Sequence, residues 1–452
     1  MKIHVIGAGM AGCEAAWQAG ESGIDVRLYE MKPKHFSPAH HSADFAELVC
    51  SNSFKAMNLE AASGLLKAEM ELLHSLLISC AKACAVPAGG ALAVDRNRFS
   101  QMVTERIALH PRIEVVREEI VSIADFNNME AGPVIIATGP LTADCLADSI
   151  RQVCGTESLS FFDAAAPVVL ADSIDMDRAF RGARYGRGTA DYINCPMDRE
   201  TYLAFYQALI TAETAAVKEF DALHLYEGCM PVECMAARGV DTLRFGPLKP
   251  VGLNHPRTGE SYYAVVQLRQ DDLSAEMYNM VGFQTRLKFP EQKRVFGMIP
   301  ALAHAEYARL GVMHRNTYLR APGFLDGTYR MIEDLRRIGR PVYFAGQMTG
   351  VEGYMESAAS GLTAGLNAAR LVLQKEPLLF PKDTAVGALA HYVSSWKGKD
   401  YQPMGIHFGL LAHDQPIWDH KVKKQDKKRI IAEYALQQMQ RVLAQINMPK
   451  ES

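Results

Sequence analysis

No stretch of the 452-residue sequence is both long and apolar enough to span a bilayer. The most hydrophobic region, residues 72–94, is interrupted by His74, Lys82 and Pro87, and a membrane helix needs roughly 20 apolar residues in succession. Nor does one sign of charge dominate: the formal net charge is −3, which excludes an overall electrostatic clamp for nucleic acid and leaves room only for a local basic patch. Cys-x-x-Cys pairs are absent, and the 9 cysteines are odd in number and scattered, so neither a disulfide framework nor a zinc ribbon is expected and no metal is called for. Repeats and low-complexity tracts are missing too. The first residues read as a strand rather than a signal peptide, so the expected location is cytoplasmic, with no membrane attachment and no obligate protein partner in evidence. What remains is a globular composition, 48% hydrophobic and 22% charged, in a chain long enough for about two or three domains.

The chain begins as β-turn-α. An apolar strand over residues 2–6 runs into Gly7-Ala8-Gly9-Met10-Ala11-Gly12, then a helix through Ala15, Ala16 and Ala19, then a second strand over 25–30 that ends in Glu30. In such a unit the first glycine permits the tight turn, the second admits a pyrophosphate and the third lets helix and strand pack closely, while an acid ending the second strand accepts from ribose hydroxyls. A dinucleotide site is expected. A late segment, residues 343–361, repeats the logic: a strand, then Gly346, Gly350 and Gly353, then a helix rich in Ala and Gly whose N-terminal N–H groups are free for a cofactor oxygen. Two separated glycine loops suit the two ends of FAD. Other expected elements are an amphipathic helix over 60–84, a buried strand over 133–139 and a basic helix over 421–443. The fold class is therefore α/β, a Rossmann-like FAD-binding domain with an inserted α+β domain. Its expected parts are 1–165 (FAD-binding, first part), 166–311 (insertion) and 312–452 (FAD-binding, second part, with the basic helix).

More specific stretches follow in order along the chain. They include Phe45-Ala46-Glu47-Leu48-Val49-Cys50-Ser51-Asn52-Ser53, Tyr192-Ile193-Asn194-Cys195-Pro196-Met197, Glu227-Gly228-Cys229-Met230-Pro231-Val232-Glu233, Phe245-Gly246-Pro247-Leu248-Lys249-Pro250 and Gly311-Val312-Met313-His314-Arg315-Asn316-Thr317. With these the chain resembles the folate- and FAD-dependent tRNA (uracil-5-)-methyltransferase family. The resemblance implies transfer of the methylene carbon of 5,10-methylenetetrahydrofolate to carbon-5 of a T-loop uridine in tRNA, with reduction by FAD and NADPH or NADH, to give 5-methyluridine. A paralogue in the family acts on ribosomal RNA instead. Residues 405–407 depart from the family pattern and 411–424 look like an insertion.

Carbon-5 of uracil is a poor nucleophile until a thiolate adds to carbon-6. The resemblance casts one of Cys50 and Cys229 as that nucleophile and the other as a flavin-side partner. Cys229, in the insertion, is taken as the nucleophile, and Cys50 as the residue nearer the cofactor. Lys249, Arg269, Lys288, His314 and Asn316 fall in matched segments and are candidates for the folate and uracil pocket. RNA phosphates would meet either the basic run that begins at Lys421 or Arg181, Arg184 and Arg187 of the insertion. Rival readings are an NAD(P)H-flavin oxidoreductase that touches no RNA, a non-catalytic flavin-bearing RNA-binding protein, and the flavin enzymes that modify wobble uridines.

Overall fold

In the computed structural model the strand Ile3–Ile6 is buried at all four positions, as expected where both faces of a parallel sheet are covered. Residues 1–154, 158–186, 189–215, 230–256, 258–332, 338–398, 401–411 and 424–447 are described. Ile3–Ile6 pairs in parallel with Val26–Tyr29 on one side and Val134–Ile136 on the other. Ile113–Val116 and Val342–Phe344 complete a five-stranded parallel sheet at its two edges. The helix Met10–Glu21, the crossover between the first two strands, packs against the late helix Tyr354–Val372. Their approach depends on glycine: a Cβ at Gly361 would lie 2.1 Å from the Ala11 carbonyl oxygen, and one at Gly365 would lie 2.4 Å from that of Ala15.

The helix expected over 60–84 is instead two, Ala62–Leu72 and Leu76–Ala83. His74 takes φ 55° between them. Ser75 accepts from Ile78 N and so caps the second helix, while the buried Glu14 of the first crossover helix accepts from Ser75 Oγ at 2.8 Å and from Leu77 N at 3.1 Å. The left-handed turn at His74 thus ends the first helix, with Ser75 N bonded to Met70 O at 3.0 Å, and Glu14 buttresses the start of the second.

The chain leaves the parallel sheet along Ser158–Ala164 and returns along Met313–Leu319, paired antiparallel from Ala164 with Met313 to Ser158 with Leu319. Between these strands lies a six-stranded sheet, in the order Phe180–Arg181, Ile193–Met197, Ala264–Gln270, Met277–Met280, Val168–Leu170, Tyr307–Arg309. The helices Arg199–Thr211 and Phe289–Phe296 bury Tyr202, Phe205, Val295 and Phe296 in the hydrophobic cluster of this sheet, which is separate from the one around the parallel sheet. The last helix, Lys424–Asn447, sets Ala432, Ala435, Met439 and Val442 into the first cluster. No helix among the described residues is long and apolar enough to cross a membrane.

Candidate functional site

A cleft opens at the carboxyl ends of the parallel strands, where Gly7, Gly9, Glu30, Thr138, Gly346 and Gly353 all line it. The three glycines of the first loop divide the work as spacing suggests. Gly7 turns the chain at φ 96°. Around Gly9 a Cβ would meet nothing within 4 Å, whereas at Gly12 it would lie 1.7 Å from the Gly7 carbonyl oxygen. The second position is thus open to a ligand and the third is closed by packing. Ala8, Met10 and Ala11 line the cleft as well. The N-caps of the two facing helices, Gly9 and Gly353, supply no side-chain cap, which leaves N–H groups of both first turns for an anion. Gly346, at φ 84°, donates its N–H to Ser360 Oγ at 2.7 Å. Two uncapped helix ends facing one cleft, with open space beside Gly9, fit the pyrophosphate of a dinucleotide.

Glu30 has a second task beside any ribose contact. Its Oε2 accepts from Ala8 N at 2.8 Å and its Oε1 from Lys32 N at 3.0 Å, so the carboxylate braces the phosphate loop from the strand below. Each oxygen keeps further acceptor capacity.

Cys50 lines the same cleft. Ala46 ties its loop to the phosphate loop through an N–H···O bond to Ala8 of 2.9 Å. Tyr354, at the start of the late helix, accepts from Val49 N at 2.9 Å and Cys50 N at 3.0 Å, and its oxygen lies 3.1 Å from Cys50 Sγ. A phenol has one proton and two lone pairs. With both lone pairs taken, the O–H is left to donate to sulfur. Desolvation first, and the adjacent thiol second, hold the Tyr354 hydroxyl well above its ordinary pKa, so it keeps the proton it donates.

The other expected site residues are spread out. Arg269, on the strand Ala264–Gln270, is buried and reaches the cysteine loop: Nη2 donates to Ser51 Oγ at 2.9 Å and Nε to Asn52 Oδ1 at 3.0 Å. Burial lowers its pKa. Lys249 and Lys288 are not among the residues that line the cleft. The Lys249 carbonyl accepts from Arg184, and Lys288 pairs with Glu213 at 2.7 Å on the surface of the antiparallel sheet region. Gly350, at φ 85°, faces Tyr401, whose hydroxyl oxygen would lie 2.4 Å from a Cβ there. His314 and Asn316 sit on the return strand opposite Asp163 and Phe161. Cys229 lies outside the described residues, as do Arg187 and the start of the basic run at Lys421. Sequence reasoning missed Tyr354 as the partner of Cys50. Tyr354 directly follows Gly353, but nothing local pairs position 354 with position 50.

Among the described residues no group of three or more His, Cys, Asp or Glu could hold a metal ion. The family model described as glucose inhibited division protein A matches residues 2–376. The chain is similar to a protein of Acetivibrio thermocellus named Methylenetetrahydrofolate--tRNA-(uracil-5-)-methyltransferase TrmFO, with 59% identity over 409 residues, 90% of this chain and 92% of that one. A protein of the same name from Listeria monocytogenes is 53% identical over 445 residues, 98% of this chain and 99% of its own length. Among solved structures, GidA of Aquifex aeolicus superimposes with a TM-score of 0.66 at 15% identity, over 98% of this chain and 75% of that chain. This last likeness speaks to the fold.

Proposed function

The chain belongs to the methylenetetrahydrofolate–tRNA-(uracil-5-)-methyltransferase family, and we propose that the cleft at its phosphate loop is where the reaction of that family takes place. The protein is an FAD-dependent enzyme that passes a one-carbon unit from methylenetetrahydrofolate to carbon-5 of a uracil in tRNA. The observation that carries the cleft assignment is the position of Cys50, a thiol beside a two-loop dinucleotide site with a phenol donating to its sulfur.

The target is a uridine of the T-loop. FAD, when bound, supplies the reducing chemistry, replenished by NADPH or NADH. Gly9, Met10 and Gly353 would hold its pyrophosphate at the two helix ends, and Glu30 would hold its adenosine ribose. Cys229 is the nucleophile: its thiolate adds to carbon-6 of uracil, the electron pair moves to carbon-5 and forms the carbon–carbon bond, loss of the carbon-5 proton releases the one-carbon unit from its carrier, and a hydride, which the bound flavin would supply, completes the methyl group as the thiolate is expelled. Cys50, held by Tyr354, takes or returns a proton on the cofactor side. Arg269 holds the Cys50 loop, while Lys249, Lys288, His314 and Asn316 line the folate and uracil pocket. The parts 1–165, 166–311 and 312–452 act as flavin domain, insertion and flavin domain again, a division supported by the two separate hydrophobic clusters.

The test uses purified protein, a tRNA transcript, NADPH and 5,10-methylenetetrahydrofolate labelled in its methylene carbon. Label is expected in the T-loop uracil; consumption of NADPH without label in RNA would sink the reading, and label only in ribosomal RNA run beside it would redirect it. For the cysteines, RNA containing 5-fluorouracil is expected to trap a covalent adduct in the parent and in Cys50→Ala but not in Cys229→Ala. The reverse pattern exchanges the two roles.

A further inference from the structure

The loop that carries Cys50 has no regular structure of its own and is gripped from two sides. On one side Tyr354 takes the backbone N–H groups of residues 49 and 50. On the other, Arg96 takes the carbonyls that precede them: its Nη1 donates to Leu48 O at 3.0 Å and to Val49 O at 3.2 Å. The remaining edge of this guanidinium faces Asp271, with Nε 3.1 Å from Oδ1 and 2.8 Å from Oδ2. Both side chains are nearly sealed from solvent, at 7% and 4% exposure.

Arg96 opens the helix Arg96–Leu109, which packs in the hydrophobic cluster of the parallel sheet. Asp271 directly follows Ala264–Gln270, the strand of the antiparallel sheet that also sends Arg269 to Ser51 and Asn52. Asn52 in turn donates to Val94 O and Gln270 O, at 3.0 and 2.9 Å, and Arg309, on the sheet's edge strand, reaches Val49 O at 3.4 Å. The cysteine loop is therefore one of the pieces through which the flavin domain and the antiparallel sheet are joined by hydrogen bonds.

We propose that Asp271 is a positioning residue for Cys50: it fixes the Arg96 fork that holds the Leu48 and Val49 carbonyls, so that the place of the thiol is set by how the antiparallel sheet seats against the flavin domain. A guanidinium is planar, and its donors keep fixed relative directions. Rotation at the Asp271 edge is rotation at the carbonyl edge. Because the pair is buried, neutralising one member leaves the other charge uncompensated and pulls the fork toward new partners. The helix that bears Arg96 does not depend on this pair, since Asp95 caps it by accepting from Arg98 N at 2.9 Å. The effect is expected at the loop rather than throughout the fold. The proposal rests on the reading that Cys50 works in the cleft.

The experiment compares the parent with Asp271→Asn, Asp271→Glu and Arg96→Lys as full-length, FAD-loaded proteins. Alkylation of Cys50 by iodoacetamide is followed peptide by peptide across pH, beside FAD content, thermal midpoint and methyl-transfer kinetics. In Asp271→Asn the Cys50 alkylation rate is expected to change by about threefold or more with a displaced pH midpoint. The kcat for methyl transfer is expected to fall about 10- to 100-fold, with KM for tRNA and for folate within about twofold and FAD content unchanged. Arg96→Lys, which keeps the charge pair but loses the fork, is expected to show the same alkylation change, and Asp271→Glu to restore part of both readouts. An unaltered Cys50 alkylation profile in folded Asp271→Asn and Arg96→Lys would overturn the proposal, whatever happens to kcat. If Cys50→Ala transfers methyl groups at the parental rate, the role given to Cys50 fails instead, and the alkylation data still decide whether Asp271 places the thiol.

Discussion

Gly9 and Gly12 stand three residues apart, and a methyl group added to each would meet opposite fates. At Gly12 it would drive into the Gly7 carbonyl, while at Gly9 it would enter the open cleft. Gly12→Ala is therefore expected to destabilise the FAD-free protein by about 1–3 kcal/mol, the usual cost of overpacking. Gly9→Ala should leave the unfolding midpoint of the FAD-free protein in place yet weaken FAD retention about tenfold, or roughly 1.4 kcal/mol. Denaturant titrations of apoprotein and FAD titrations separate the two, and an equal loss of stability in both variants would show that the space beside Gly9 is not a ligand site. These glycines are legible in sequence because the turn that uses them is local. Tyr354 is not, because its service to Cys50 joins positions 304 residues apart.

At the scale of elements, the helix Ala62–Leu72 carries Glu69 to the N-terminus of another helix, Ala385–Ser395, where its carboxylate accepts from Ala385 N at 2.8 Å and Val386 N at 2.9 Å. Burial pushes the Glu69 pKa up to about 8 in spite of these bonds. Two residues earlier, Lys67 donates to Phe54 O and Ser63 O, both at 2.7 Å, and burial pulls its pKa down to about 8. The signs are opposite. For Glu69 the folded state holds a proton that the unfolded chain has lost, so its contribution is complete below pH 4.5, the ordinary carboxyl value, and declines as pH rises to about 8. For Lys67 the penalty is complete below pH 8 and is relieved as pH climbs toward 10.5. The combined contribution of these two groups is therefore lowest near pH 8. Glu69→Gln is expected to flatten the decline between pH 5 and pH 8 while leaving the rise above it; denaturant midpoints across that range check this, and equal slopes in parent and variant would count against a protonated Glu69. The split of the 60–84 helix belongs to the same scale. Apolar periodicity runs straight through it, and the break falls at the left-handed His74, where Ser75 caps the next helix and Glu14 reaches across from another helix to brace it.

For the whole molecule, the cleft is where two glycine loops far apart in sequence face each other, so its lining amides depend on whatever fills it. Removing FAD should lower stability by the free energy of binding, about 2.7 kcal/mol for ligand held at a hundredfold excess over its dissociation constant. Hydrogen exchange is expected to rise in residues 7–12, 137–139 and 346–357, which line or adjoin the cleft, and to change little in the strand Ile193–Met197, which lies in the other hydrophobic cluster. Uniform loosening across both clusters would mean that FAD holds the domains together rather than filling one site.

The sequence by itself determined the βαβ start, the turn that places Gly7, Gly9 and Gly12, the late glycine loop with its small-residue helix, and the family, since each of these is written in short stretches whose meaning comes from spacing or order. Tertiary structure alone decided that Glu30 braces Ala8, that the Tyr354 hydroxyl lies against Cys50, and that Arg269 of the antiparallel sheet reaches Ser51 and Asn52 beside that cysteine. The physical reason is the range of the forces involved. Backbone turns and side-chain periodicity act over a few residues, so they leave a trace in the local sequence. A buried hydrogen bond between distant segments constrains two positions jointly, and neither position carries the pairing on its own.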